Sequence, residues 1–334
     1  MTKVFYWCPY LSHVATIENV IKSAISLTKY NEINQVTLLD TFGEWQFEKN
    51  KLIKNKIYIE KLSKLNFKPN KVGFFKSRLY LIYLFFFNFF PLVKLLKKEK
   101  PDFLIVHLLT SLPLVILLIF KQKTKFILRI SGLPKLNIFR KILWKLISHK
   151  IHTVTCPSEE TLTYIRKLNI FAKSKLVLLY DPIINVSLIN KMKKIDKKIC
   201  PSNFFLNIGR LTNQKNQKLL IDTFYNLKKK NKNLFLVIIG EGENRSNLLN
   251  QIKKLDLQKN IFLLGFKENV FSYINKARAV IISSLWEDPG AVMIEAAFCN
   301  TTIISSNCPN GPNDFISNNQ GGYLFENNNL SSLE

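Results

Sequence analysis

The chain has 334 residues, 47% of them hydrophobic, and carries 49 Lys and Arg against 23 Asp and Glu, a formal net charge of +26. That length and apolar content exclude a disordered chain and imply two globular α/β domains of ordinary size. Five cysteines, at 8, 156, 200, 299 and 308, with no C-x-x-C and no histidines at zinc spacing, exclude a disulfide framework and a metal site and point to a reducing cytoplasm.

In chain order, residues 4–7 read as a short strand, 9–13 as a loop and 16–28 as a helix, with the next strand at 36–39. The first 18 residues lack a basic segment followed by an apolar one, so no signal peptide is expected. Residues 71–98, KVGFFKSRLYLIYLFFFNFFPLVKLLKK, form an aromatic block bracketed by lysines, the composition of a segment lying at a membrane interface or of a buried helix with solvated ends. Its apolar part, 79–93, is too short for a bilayer and contains Asn88 and Pro91, and the run 103–120 is divided by His107, Thr110, Ser111 and Pro113. No membrane span is predicted. Residues 103–107 read as a buried parallel strand, 110–111 as a cap and 114–120 as a helix, followed by strands at 125–129, 152–156 and 176–180 and a helix opening near Ser158.

Asp181-Pro182 closes this region, giving a first domain at 1–183, a lysine-rich linker with a short helix at 184–202 and a second domain at 203–334. There the alternation restarts, with strands at 204–208, 234–239, 261–264, 280–282 and 302–305 and helices at 218–230 and 246–255. Strands alternating with helices predict two Rossmann-like, doubly wound parallel sheets facing each other across a cleft. Charge is divided unequally between the two halves: residues 201–334 hold 14 basic and 11 acidic side chains, leaving 35 against 12 for residues 1–200. A strongly basic first half suits nucleic acid or an anionic membrane surface, and the aromatic block favours the membrane.

The chemistry gathers at 283–298, SSLWEDPGAVMIEAAF, where a β-branched strand runs through a Pro-Gly turn into an apolar helix. Glu295 falls in the second turn of that helix, so it must be partnered or face a polar ligand, and Glu287 lies at the strand end. Gly290, Ala291 and Val292 present the free amides of the first turn, where an anion is favoured. Gly209-Arg210 ends another strand, Lys215 follows in the next loop, and Gly240-Glu241-Gly242 ends a third. Two cations, a helix start and two glutamates in one crevice suit a diphosphate carrying hydroxyl-rich sugars. The dinucleotide fingerprint fails at Arg245, and the P-loop, H-E-x-x-H and Asp-x-Asp patterns are all missing.

The strings NIGRLTNQKN, LVIIGEGENRSNL, FLLGFKENV and SLWEDPGAVMIEA, with the tail ISSNCPNGPNDFI...GGYLF, resemble the donor-binding domain of glycosyltransferase family 4, the group 1 glycosyl transferases with the retaining GT-B fold. Over the first domain, YWCPYLSHVATIENVIKSAISLTKY and RISGLPKLNIFRKILWK are similar to bacterial members that build surface polysaccharides such as lipopolysaccharide; Ser12-His13 stands where a Gly-Gly is frequent. The resemblance implies metal-independent transfer of a sugar from a nucleotide diphosphate sugar to a lipid-linked acceptor hydroxyl, with no cofactor, by a protein peripheral on the inner face of the cytoplasmic membrane. It implies that Arg210 and Lys215 meet the leaving diphosphate, that Glu295 holds the ribose and that Glu287 holds the donor sugar. Gly209, Gly240, Phe266, Gly290, Ala291 and Val292 complete the donor site. His107 looks like the histidine that many members carry in the cleft; read by itself, it is a satisfied histidine at a strand end. The sequence stops at Glu334, short of the helix that in this family usually returns to the first domain. The rival reading is a non-catalytic nucleotide-binding protein docked on a membrane or on nucleic acid.

Overall fold

The computed structural model describes residues 2–10, 15–63, 74–134, 136–194, 201–231, 233–287, 290–316 and 321–334, and the side chains of all of these except 15 and 74–79. It divides into two units, Met1–Pro182 and Ile183–Glu334.

In the first unit, strands β1 (Thr2–Trp7), β2 (Ile33–Asp40), β3 (Tyr58–Lys61), β4 (Phe103–Val106), β5 (Lys125–Arg129), β6 (Thr153–Cys156) and β7 (Leu176–Leu178) form a seven-stranded sheet in the order β3-β2-β1-β4-β5-β6-β7. Every pairing is parallel. Such a sheet is covered on both faces, which is why its central strands are continuous apolar runs. Helices α1 (Ala15–Leu27) and α2 (Lys49–Lys54) flank one core, built on Val4, Tyr6, Ile17, Ile21, Leu38 and Trp45. Helices α3 (Phe74–Glu99), α4 (Ser111–Ile119), α5 (Ile138–Ile147) and α6 (Glu159–Lys167) cover the other, built on Phe5, Leu92, Leu114, Phe126, Trp144 and Leu162.

The aromatic block is a helix with one buried side, longer than its apolar part at 79–93 suggested. Helix α3 is 26 residues long and runs unbroken through Pro91. An interior proline costs about 3 kcal/mol, but the stripe Leu84, Asn88, Leu92 and Leu96, spaced by four, is fully inward and buried on the sheet. That burial holds the helix together, at ~1.5–3 kcal/mol for each leucine. Tyr80–Glu99 is consequently long and apolar enough to cross a membrane by length and composition. Helix α4 begins at Ser111, three residues earlier than the cap reading placed it, because Pro113 is accommodated in the first turn, where no amide hydrogen is required.

The lysine-rich segment at 184–202 is more than a linker. Helix α7 (Val186–Lys193), capped by the Asn185 side chain accepting from Leu188 N at 3.1 Å, buries Ile189 in the core of the second unit. The second sheet contains β8 (Phe205–Ile208), β9 (Leu236–Ile239), β10 (Ile261–Leu263), β11 (Ala279–Ile282), β12 (Thr302–Ser306) and β13 (Gly322–Phe325), all parallel, in the order β10-β9-β8-β11-β12-β13. Around it lie α8 (Gln217–Lys230), α9 (Arg245–Lys254), α10 (Phe271–Ile274), α11 (Ala291–Phe298), α12 (Pro312–Ile316) and α13 (Leu330–Leu333). The last of these packs Leu333 beside α8 in the same unit.

Candidate active site

In an open α/β sheet, ligands bind beyond the carboxyl ends of the strands where the strand order reverses. In the second unit that point lies between β8 and β11, which pair at Ala279↔Phe205 and Val280↔Leu206. Gly209-Arg210 leaves one strand and Ser283-Ser284 the other, so Lys215 and Glu287, 72 apart in sequence, meet there.

The meeting is an ion pair. Lys215 Nζ donates to both oxygens of Glu287, at 2.6 and 2.8 Å. Glu287 is 5% exposed and the Lys215 side chain 19%. The two serines that end β11 fasten one partner each: the Ser283 hydroxyl donates to the Lys215 carbonyl at 2.9 Å, and the Ser284 hydroxyl to Glu287 Oε1 at 2.5 Å. The Ser284 carbonyl is held in turn by the Ser306 hydroxyl at 2.6 Å, and Glu287 N donates to the Pro309 carbonyl at 3.1 Å. Gln214 joins the same loops, its carbonyl accepting from Leu285 N at 2.8 Å and its amide donating to the Trp286 carbonyl at 3.0 Å. Asn216, in the left-handed region at φ 48°, then turns the chain into α8. An ammonium has three donors, and Glu287 takes two of them.

Arg210 is exposed and forms no ion pair among the described residues. Its main chain is fixed instead: the Arg210 carbonyl accepts from Gln217 Nε2 at 3.1 Å, and Leu211 N donates to the Glu241 carbonyl at 2.9 Å. The glycines explain how these loops come so close. A Cβ on Gly240 would stand 1.9 Å from the Gly209 carbonyl oxygen, and one on Gly242 would stand 2.3 Å from that of Leu211. Gly240, expected at the donor, here serves to bring two strand ends together, and Gly209 lies flat under the Lys215 stem.

Gly290, at φ 89° and ψ 65°, precedes α11, and a Cβ there would meet Met293 Cε at 2.5 Å. The amides of Ala291 and Val292 open the helix, where no carbonyl lies one turn behind. Glu295 is half-buried in the same helix. Phe266 follows Gly265 on the loop after β10 and is 75% exposed. Pro289 lies outside the described residues.

His107 belongs to the first unit. It follows β4 at that sheet's own switch point, its amide donating to the Trp7 carbonyl at 2.9 Å and its ring stacked on Tyr6 at 5.9 Å. Burial, with a smaller contribution from the Arg129 charge, lowers its pKa to about 3. The imidazole is therefore neutral. Ser12 and His13 lie outside the described residues. The sequence reading missed two buried polar clusters here. Arg129 binds the Leu179 carbonyl and Asp181, which also accepts from Asn19 at 2.8 Å. Glu44 accepts from Thr41 Oγ1 and Phe42 N, both at 2.8 Å, and burial together with the neighbouring Asp40 raises its pKa to about 8. Among the described residues, no three of His, Cys, Asp and Glu are placed to hold a metal ion.

Residues 189–334 match the family model of the glycosyl transferases group 1. An uncharacterised glycosyltransferase of Methanocaldococcus jannaschii is 31% identical over 250 residues, which cover 68% of this chain and 61% of that one. N-acetylgalactosamine-N,N'-diacetylbacillosaminyl-diphospho-undecaprenol 4-alpha-N-acetylgalactosaminyltransferase of Campylobacter jejuni is 26% identical over 222 residues, covering 64% and 60%. The chain thus spans about three fifths of the length of these relatives. In fold it is similar to Anabaena HepE, solved with UDP, at a TM-score of 0.72 and 16% identity, covering 99% of this chain and 88% of that one. TarM of S. aureus gives 0.71 and 14%, covering 99% and 91%. These neighbours are GT-B glycosyltransferases, and two Rossmann-like parallel-sheet units are that fold.

Proposed function

We propose that this chain, whose second unit is a group 1 glycosyltransferase domain, is a metal-independent family 4 enzyme that moves a sugar, of the hexosyl or a related class, from a nucleoside diphosphate sugar to an acceptor hydroxyl with retention of anomeric configuration. Its acceptor is a lipid-linked glycan of surface polysaccharide synthesis, and it works as a peripheral protein on the cytoplasmic membrane face. The observation that carries the reading is the Lys215–Glu287 pair at the switch point, with the exposed Arg210 on the loop that leaves β8. The Campylobacter relative, named for transfer to a diphospho-undecaprenol glycan, supports the lipid-linked acceptor.

The donor diphosphate is bound by charge already in place. Glu287 engages Lys215 through two hydrogen bonds, leaving the third ammonium donor for a phosphate oxygen, while Arg210 offers an exposed guanidinium that no carboxylate among the described residues pairs with. The amides of Ala291 and Val292 add the positive end of α11. As the sugar–phosphate bond breaks, negative charge grows on the diphosphate, and preorganised donors there are worth ~10²- to 10³-fold each. Glu287, anchored by Ser284, holds donor-sugar hydroxyls and favours positive charge developing at the anomeric carbon. Glu295 takes the ribose hydroxyls, and the exposed ring of Phe266 offers the base a stacking surface.

The test is release of free nucleoside diphosphate from a panel of UDP- and GDP-sugars, with and without an undecaprenyl-diphosphate-linked acceptor, in EDTA. Release that requires both substrates is expected. Stabilisation by a donor sugar without any transfer would leave nucleotide binding alone, and loss of transfer in EDTA that Mg²⁺ restores would overturn metal independence.

A further inference from the structure

The α3–α4–α5 layer of the first unit carries more exposed apolar surface than packing explains. Helix α5 buries Trp144 and Ile147 against the sheet, yet exposes Ile138 (75%), Phe139 (81%), Ile142 and Leu146 on its outer side. Helix α3 does the same, its outer side presenting Ile82, Tyr83, Phe86 (70%), Phe87 and Phe90. Helix α4 lies between them and ends on the exposed Ile119. The layer is cross-tied: Phe89 meets Phe120 at 6.2 Å, Lys97 Nζ sits 5.5 Å over the Phe120 ring, and Lys150 Nζ donates to the Leu118 carbonyl at 2.6 Å. Exposed apolar surface on this scale marks an interaction site.

Charge says what covers it. Residues 61–158, which contain all three helices, hold 19 Lys and Arg and only two acidic residues, Glu99 and Asp102, so about two thirds of the chain's net charge lies in less than a third of its length. Arg140, Lys141 and Lys145 alternate with the exposed apolar residues of α5, and Lys94, Lys97 and Lys98 follow the phenylalanines of α3. A protein interface usually sheds charge toward its centre. Aromatic and aliphatic side chains interleaved with cations and almost no anions instead match an anionic bilayer, where the apolar groups enter the acyl boundary and the cations meet lipid phosphates.

We infer that α5 and α3 together form a two-helix docking face for an anionic phospholipid surface, with α3 lying along the membrane instead of crossing it. Helix α3 cannot cross without pulling Leu84, Asn88, Leu92 and Leu96 out of the core that holds the unit together. This deepens the proposed function, because it fixes which surface meets the lipid-linked acceptor, and it rests on that reading only for the identity of the acceptor.

The test uses the full-length chain and sedimentation with phosphatidylcholine vesicles, with and without phosphatidylglycerol. Binding should require phosphatidylglycerol. Arg140→Glu/Lys141→Glu/Lys145→Glu should weaken it by roughly 100-fold or more, since each cation near such a surface contributes about 1 kcal/mol. Phe139→Ser/Ile142→Ser, both exposed and so neutral to folding, should abolish the part of binding that survives high salt. Phe139→Trp should shift its emission to the blue on vesicles and be quenched by brominated acyl chains. Equal binding to neutral vesicles, or binding unchanged in both α5 variants, overturns the proposal. So does a concentration-dependent dimer that the serine variant disrupts without any vesicle binding, because the face then belongs to a second copy. Nucleoside diphosphate release measured with a detergent-dispersed acceptor is independent of docking, so a failed docking face and a failed transferase are told apart.

Discussion

Replacing Lys215 by Met tests whether the ion pair is as closely coupled as its geometry indicates. The change leaves Glu287, 5% exposed, with both bonds from the ammonium gone and the Ser284 hydroxyl to hold it. Breaking one side of a buried pair costs about 3–5 kcal/mol. Glu287→Gln costs less, roughly 1–3 kcal/mol, because the Lys215 side chain is 19% exposed and water reaches its ammonium. The double variant carries neither charge, and the Gln carbonyl still accepts from Ser284, so it should cost only about 1–2 kcal/mol. The singles therefore sum to about 4–8 kcal/mol, and the coupling should be roughly 3–6 kcal/mol, well above the ~0.5 kcal/mol within which independent sites add. Hydrogen exchange at the β11 amides, whose Val280 and Ile282 lie in the core of the second unit, reports that unit's stability separately from the first. Lys215→Met should speed their exchange by roughly 10²- to 10³-fold, and adding Glu287→Gln should restore most of the protection. If the double variant is as unprotected as the two singles combined, the pair is not coupled and the site argument loses its centre.

Arg210→Ala should lower kcat by ~10²- to 10³-fold with no effect on melting temperature, since the side chain is exposed and forms no ion pair among the described residues; a matching loss of stability would contradict this. Ser284→Ala removes a hydrogen bond to a buried carboxylate, so about 1.5–3 kcal/mol of stability should go with it, and Ser284→Thr should restore most of it in a denaturant titration. Glu295→Gln should raise the donor KM more than it lowers kcat, because a ribose contact is alike in ground and transition states, and a fall in kcat at unchanged KM would reassign the residue. His107 binds its proton more weakly folded, at about 3 against the ordinary 6.5, so the stability it confers is complete above pH 6.5 and is lost as pH falls toward 3. Glu44 has the opposite sign: its folded pKa is raised from 4.5 to about 8, so its contribution is complete below pH 4.5 and is lost as pH rises through 8. His107→Asn and Glu44→Gln should each flatten the matching limb of the pH–stability curve, and an unchanged slope in either would refute the corresponding burial argument.

The strands were legible because buried parallel strands are continuous β-branched and aromatic runs, and the run Lys125–Arg129 was read to the residue. Helices with mixed surfaces were harder. In α5 the cations interrupt an apolar pattern that faces two environments, so its periodicity is blurred; α7 read as a short helix of the lysine-rich linker, but not as one that buries Ile189 in the second core. Asn88 and Pro91 counted against a long apolar span because local propensity says so; the buried stripe that carries α3 through Pro91 is a tertiary effect. At the site, residue types and order were readable, but partnership was not. Nothing local to Lys215 indicates that its ammonium is taken by a carboxylate 72 residues on, or that Ser284, an ordinary strand-end serine, is what steadies that carboxylate. Gly240 and Gly242 read as part of a ligand loop, and the sequence did not show that the backbone of the neighbouring strand end also requires them to lack a side chain.

Those glycine contacts separate what can drift from what cannot. Any side chain at Gly240 or Gly242 collides with a neighbouring carbonyl, so the loop after β9 tolerates no variation there, while Arg210 and Phe266, on the loops after β8 and β10, are exposed. A mutagenic library aimed at a new base or sugar should therefore randomise Phe266 and Trp286, both exposed, and leave the glycines and the serine-held pair untouched. Along a lineage, donor preference is free to change one exposed side chain at a time, without passing through an unfolded ancestor.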